Sequence, residues 1–192
     1  MSVLFFFGLF VTNSYIDLRN NCVQSSLKSP CAGSEESHNR TIANMESDNV
    51  NINLERELVS VDRRLFHIKE IIHPDSTYLI VKIPINYCGD CVTEIIENLN
   101  MIKDSISCIQ PIILCSGGSQ REMKVRMLPF EDKFRIYNVL LSDIGLPLDW
   151  SNIPYMTLID DGKTTKHTLI VNQGSSELLG GYIQMLSKKY CK

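Results

Sequence analysis

The stretch "TYLIVKIPINYCGDC", Thr77 to Cys91, decides the fold. Its first half is an unbroken run of apolar and β-branched residues, the composition of a strand buried on both faces. Its second half is a Cys-Gly-Asp-Cys pair. Beyond Cys91 the period changes: Val92, Ile95, Ile96, Leu99 and Ile102 recur at helical spacing and make one apolar stripe. A buried strand thus runs through two cysteines directly into a helix.

Such a pair can be a metal clamp, a structural bridge or a redox centre. Zinc needs four ligands, and the chain offers no second C-x-x-C and no paired histidines near it; His38, His67, His73 and His167 are scattered. A bridge across two residues closes too small a loop to restrain much. The position at a helix start favours redox chemistry. Unpaired N–H groups and the helix dipole stabilise an anion there, and the thiolate is the nucleophile in disulfide exchange. Cys88 is therefore expected to attack and Cys91, one turn further in, to resolve. Gly89 lets a partner chain approach.

The remaining pattern is β-α-β-α-β followed by β-β-α. "ELVSVDRRLFHIKEII" (57–72) reads as a short strand running into a helical turn. "CIQPIILCS" (108–116) reads as a buried strand, and "SQREMKVRML" (119–128) as a helix opened by a Ser119/Glu122 capping box. "FRIYNVLL" (134–141) is a further strand. "YMTLID" and "TKHTLIV" flank an Asp-Gly turn, the signature of a hairpin. Ser175 or Ser176 caps a last helix whose stripe is Leu178, Leu179, Tyr182, Ile183 and Leu186.

With these residues in view, "LIVKIPINYCGDC" resembles the active-site strand and turn of the thioredoxin superfamily, and "NIPYMTLID" (152–160) resembles its cis-proline segment. The resemblance covers about residues 58–192. It implies an α/β thioredoxin-like fold, a central mixed sheet flanked by helices. Pro154 comes 66 residues after Cys88, which leaves room for an extra strand–helix insert. That spacing is similar to the TlpA/ResA-like extracytoplasmic thiol–disulfide oxidoreductases. The resemblance implies catalytic roles for Cys88, Cys91 and Glu94, the last as a proton acceptor. It implies a substrate-binding surface from Tyr87, Ile153 and Pro154, with a cis Ile153–Pro154 bond. It also implies reduction of partner disulfides, as relatives do in cytochrome maturation. Three departures stand out. Tyr87 replaces tryptophan. Asp90 replaces proline and opposes a nearby thiolate. Lys82 stands where a buried Asp or Asn is usual. Lys82 and Asp90 are accordingly the redox-tuning positions, and Asp90 is expected nearly to cancel the helix-end effect on Cys88.

The chain has 192 residues, 44% of them hydrophobic, and a net charge of −3, which gives no footprint for nucleic acid. "MSVLFFFGLFVTNSYI" (1–16) carries no charge and is read as a signal peptide or membrane anchor. Residues 17–55 are polar and aperiodic, a linker, and 56–192 form the domain. Of seven cysteines, Cys108 and Cys115 fall in one expected strand, roughly 23 Å apart, and read as small core residues. Cys22, Cys31 and Cys191 sit near the ends. The expected protein needs no dissociable cofactor beyond a Cys88–Cys91 redox disulfide and no metal. Its partners are protein thiols and disulfides and an upstream membrane or periplasmic electron donor. It is expected to be monomeric and extracytoplasmic. The competing reading is a non-catalytic adapter that keeps the fold as a docking surface.

Overall fold

The computed structural model describes residues 46–140, 143–171 and 176–191, all within one compact unit that spans Ile42–Lys192. The N-terminal apolar segment, Cys22, Cys31 and Ser175 lie outside the described residues. The elements are β1 (Glu57–Ser60), β2 (Leu65–His67), α1 (Ile68–Ile71), β3 (Thr77–Pro84), α2 (Gly89–Ile102), β4 (Ile109–Ser116), α3 (Gln120–Met127), β5 (Arg135–Val139), β6 (Tyr155–Ile159), β7 (Thr165–Ile170) and α4 (Ser176–Tyr190). No helix among the described residues is long and apolar enough to cross a membrane.

The strands form one seven-stranded sheet in the order β2-β1-β5-β4-β3-β6-β7. β3, β4 and β5 are parallel neighbours; β1 pairs antiparallel with β5, β6 pairs antiparallel with β3, and β7 pairs antiparallel with β6. β3 therefore has a partner on each side and is buried along nearly its whole length, as its continuous apolar run requires. Pro84 ends the strand opposite Ser116, where its missing N–H costs no internal ladder bond. The additional strand expected between the cysteine helix and Pro154 is β5. The described part of the return from β5 to β6 contains a 3-10 turn, Pro147–Ser151, rather than an α-helix.

Alternation along β3 splits the core. Leu79, Val81 and Ile83 face α2 and α4, and pack with Val92, Ile95, Ile96, Leu99, Leu179, Ile183 and Leu186. Tyr78 and Ile80 face the other way, towards Ile68, Ile112, Ile144 and Tyr155. Each fully buried aliphatic side chain contributes about 1.5–3 kcal/mol, so the four-residue stripe of α2 anchors the helix against the sheet. Leu178, expected in the α4 stripe, is instead 56% exposed, because the buried face of the helix begins at Leu179.

Three further expectations are corrected. The segment 57–72 is a tight hairpin followed by one helical turn; Arg63 takes a positive φ (67°) at the bend, a conformation that no glycine there advertised. The domain does not begin at residue 56. Ile52 is buried, Asn51 bridges Thr164, and Asn49 and Ile52 donate backbone bonds to Thr165 and Lys163, so the start of the domain runs along the β6–β7 hairpin. Lastly, Cys108 is not a core strand residue. β4 begins one residue later, and Cys108 forms a disulfide with Cys191 (Cα–Cα 5.5 Å), tying the end of α4 to the entrance of β4. Cys115 is fully buried as expected, and burial pushes its thiol up to about 12.

Candidate functional site

β3 delivers the chain to Cys88 at one end of the sheet. Tyr87 N–H donates to Pro84 O (3.0 Å) and Ile85 N–H to Ser116 O (2.7 Å), so the turn after the strand is fixed by backbone bonds. Two residues that the sequence reading missed hold this turn. Arg126 on α3 donates from Nη1 to the Tyr87 carbonyl (2.7 Å), across 39 residues of sequence. Gly118 lies so close to Ile85 that a Cβ there would meet its side chain at 2.5 Å. Neither has a local sequence signal. Both act through contacts made only once α3 packs beside the loop.

Cys88 is the N-cap residue of α2, with extended-side dihedrals (φ −49°, ψ 127°), and its carbonyl accepts from Val92 N–H (3.0 Å). Its thiol makes no capping hydrogen bond, which leaves the first-turn amides facing the sulfur. Cys88 is exposed, Cys91 is buried, and both are free thiols. A Cβ on Gly89 would meet nothing within 4 Å, so the space beside the exposed sulfur is open.

The two thiols are pushed apart electrostatically. Cys88 lies below the ordinary thiol range, first because Cys91 donates a hydrogen bond to it, then because of the backbone amides of Cys91 and Asp90. The Asp90 carboxylate acts in the opposite direction but is the weakest of the causes. The expected near-cancellation is therefore not found: Asp90 is exposed, and water screens the field of its carboxylate. Cys91 is raised to about 11, by the same hydrogen bond, by burial, by the charge on Cys88 and by Glu94. Glu94 is half-buried, one turn along from Cys91, and close enough to oppose its thiolate.

Lys82 goes elsewhere. It shares the face of Tyr78 and Ile80, opposite to α2, and is only 2% exposed. Its ammonium pairs with Asp149, whose side chain is 1% exposed. Asp149 Oδ1 also accepts from Tyr155 OH (2.7 Å), and Oδ2 accepts from the N–H groups of Ile144 (2.7 Å), Gly145 (3.0 Å) and Leu146 (2.9 Å). Burial lowers the lysine's proton affinity, and Asp149 partly restores it. Asp149, unread in the sequence, is thus the organising group of the 144–149 turn. Lys82 acts through it rather than beside the sulfurs.

Pro154 precedes β6, and the β3–β6 register (Lys82 opposite Tyr155) carries it to the end of the sheet from which Cys88 emerges. No peptide bond among the described residues is cis, so the Ile153–Pro154 bond is trans. The expected cis-proline is absent, and the substrate-groove reading of Ile153 and Pro154 loses that support. The chain makes its reversal one residue earlier, through left-handed Asn152 (φ 52°), and the trans form is the cheaper isomer for an X–Pro bond.

The structure brings Cys88, Cys91, Glu94, Asp90 and Tyr87 together on the turn and first helix turns, sets Ile153 and Pro154 at the same sheet end, and carries Lys82 to the far face. No group of three or more potential metal ligands occurs among the described residues.

No protein-family model and no curated protein sequence matches this chain. Solved structures do. A candidate electron transfer protein from Aquifex aeolicus VF5 superposes with a TM-score of 0.56 at 9% identity, covering 72% of this chain and 94% of the other. A candidate thiol:disulfide interchange protein DsbE from Chlorobium tepidum gives 0.54 at 12% identity, covering 73% and 98%. An uncharacterized thioredoxin-like protein from Porphyromonas gingivalis gives 0.53 at 14% identity, covering 73% and 95%. With a mixed sheet in this strand order and a cysteine pair at the start of the helix after its central strand, the chain has the thioredoxin-like fold.

Proposed function

We propose that this protein is a thiol–disulfide oxidoreductase that reduces disulfides of partner proteins through Cys88 and Cys91. The observation that carries the reading is the division of the pair: an exposed, acid-shifted thiol at a helix N-cap beside a buried thiol raised to about 11. The Cys88 thiolate attacks one sulfur of a partner disulfide; that S–S bond breaks, and the departing partner thiolate takes a proton. Capture removes the charge on Cys88 and its hydrogen bond, the first of the causes that hold Cys91 protonated. Cys91 then loses its proton, with Glu94 as the acceptor, and attacks Cys88 Sγ. The products are a Cys88–Cys91 disulfide and two partner thiols, and two electrons have passed to the partner. A dithiol protein upstream restores the reduced pair. Ile153, Pro154 and Tyr87 form the near surface against which the partner chain lies.

An extracytoplasmic location fits the same reading. The Cys108–Cys191 disulfide belongs to an oxidising compartment, and the N-terminal apolar segment suits export or anchoring. The adapter reading draws on one observation, the trans bond at Pro154. Reduction of insulin separates the two. The native protein should turn insulin over, Cys91→Ser should accumulate mixed disulfides, and Cys88→Ser should do neither. A folded native protein inert toward insulin and toward extracted periplasmic-type disulfides is an adapter.

A further inference from the structure

Beside the Cys88 turn lies an open cleft of about 410 Å³, between the Ile85–Asn86 loop and the first two turns of α3. Ile85 and Val125 supply apolar wall, and Val125 is 72% exposed with no packing role that accounts for it. Gly117, at positive φ (77°), and Gly118 keep the floor free of side chains. Three charged groups line the cleft: Arg121, Glu122 and Arg126. Glu122 turns one oxygen, Oε2, to the capping box, where it accepts from Ser119 N–H (2.8 Å) and Ser119 Oγ (2.7 Å). Arg126 spends one N–H on Tyr87 O and is otherwise half-buried against the loop. Arg121 is exposed and has no hydrogen-bond or ion-pair partner among the described residues. The cleft therefore sets two guanidinium groups against one carboxylate, and their fork geometry suits a second carboxylate brought by a ligand.

Its place relative to the nucleophile sets what it can hold. Asn86 is two residues from Cys88, and two residues of extended chain span at most about 7 Å. A side chain one or two positions from a partner's reacting cysteine would fall here. Resting on the oxidoreductase reading above, we propose that this cleft is a specificity subsite for an aspartate or glutamate flanking the reactive disulfide of a partner polypeptide, with Arg121 and Arg126 as its donors.

The test uses the full chain, reduced at Cys88–Cys91, and two peptide disulfides that differ only in carrying Asp or Lys beside the cysteine. Second-order rates of mixed-disulfide formation are followed at low ionic strength. The Asp peptide should react about tenfold faster, as one charge-assisted contact implies, and added salt should shrink the ratio. Arg121→Glu, at an exposed position that leaves the fold intact by circular dichroism, should reverse the preference. Equal rates for the two peptides, or a ratio untouched by Arg121→Glu, overturn the subsite while leaving the oxidoreductase reading standing. No reaction with either peptide overturns the oxidoreductase reading itself, and the subsite with it.

Discussion

Removing the Cys108–Cys191 bridge by the double change Cys108→Ala and Cys191→Ala should weaken the fold without touching the reactive pair. The bridge closes a loop with a sequence separation of 83, which embraces β4, α3, β5, β6, β7 and all of α4. Loop-closure entropy for such a length is about 15 cal/mol/K, or about 4.5 kcal/mol at 25 °C, with native bridges in small domains delivering ~2–5. For a domain of this size each kcal/mol moves the melting point by about 2–4 °C, so a loss of about 9–18 °C is expected at the full value. The measurement is urea and thermal unfolding of the native and bridge-free proteins by far-ultraviolet circular dichroism. Fluorescence is a poor reporter, since the sole tryptophan, Trp150, is already 86% exposed in the folded state. Cys108 enters β4, whereas Cys88 follows the far end of the parallel neighbour β3, so the two sulfur sites occupy opposite ends of the sheet. Cys88 alkylation rates should therefore agree between the two proteins. A stability change below about 1 kcal/mol, outside the usual span for native bridges, would refute the entropic argument. A bridge-free protein with altered Cys88 reactivity would refute the separation of the two sites.

Alkylation against pH checks the thiol assignment. A depressed Cys88 means that its rate climbs and levels off below the ordinary thiol value of about 8.5, while Cys91 follows only near 11; the same depressed pKa adds stability above the unfolded thiol value that is lost as pH falls through the folded one. Glu94→Gln should move the Cys91 midpoint down, because a like charge is removed, and yet slow resolution of mixed disulfides at neutral pH; faster resolution would dismiss Glu94 as the proton acceptor. Asp149→Ala leaves Lys82 charged and buried with three amides unpaired, and should cost about 3–5 kcal/mol in urea unfolding, with Lys82→Met in the same chain recovering part of it. A loss under 1 kcal/mol would show that water reaches the pair.

What could be read from the residues was local, and what could not was distant. The strand–cysteine–helix junction is written in one continuous stretch, because a buried parallel strand has a composition of its own and the helix stripe starts at once after it. The Ser119/Glu122 capping box and the Asp161–Gly162 hairpin are equally self-contained: each closes within three or four residues, and the structure shows both. The β1–β2 hairpin escaped because its left-handed bend is filled by Arg63, a residue type that carries no turn signal. The Cys108–Cys191 bridge escaped by a single residue. Placing the start of β4 at Cys108 buried its sulfur in a ladder, whereas the real start at Ile109 frees it to meet the end of α4. Segment 46–55 has no periodicity to find, since it contributes two buried residues, Ser47 and Ile52, and a few individual backbone bonds rather than a strand.

The site divides along the same line. Cys88, Cys91, Asp90 and Glu94 were legible because helix geometry alone fixes their mutual positions. Arg126 and Asp149 were not, since they reach Tyr87 and Lys82 across 39 and 67 residues. Lys82 shows why the distinction matters chemically. Read alone it is an anomaly beside a thiol pair. Read with Asp149 and Tyr155 it is half of a buried ion pair on the opposite face of β3, and the burden of tuning Cys88 falls on its hydrogen bond with Cys91 and on the α2 amides. A cation brought to the sulfur face would lower both thiols together. Holding it away leaves a pair in which one thiol is acidic largely because the other is not, and that asymmetry gives the exchange its order.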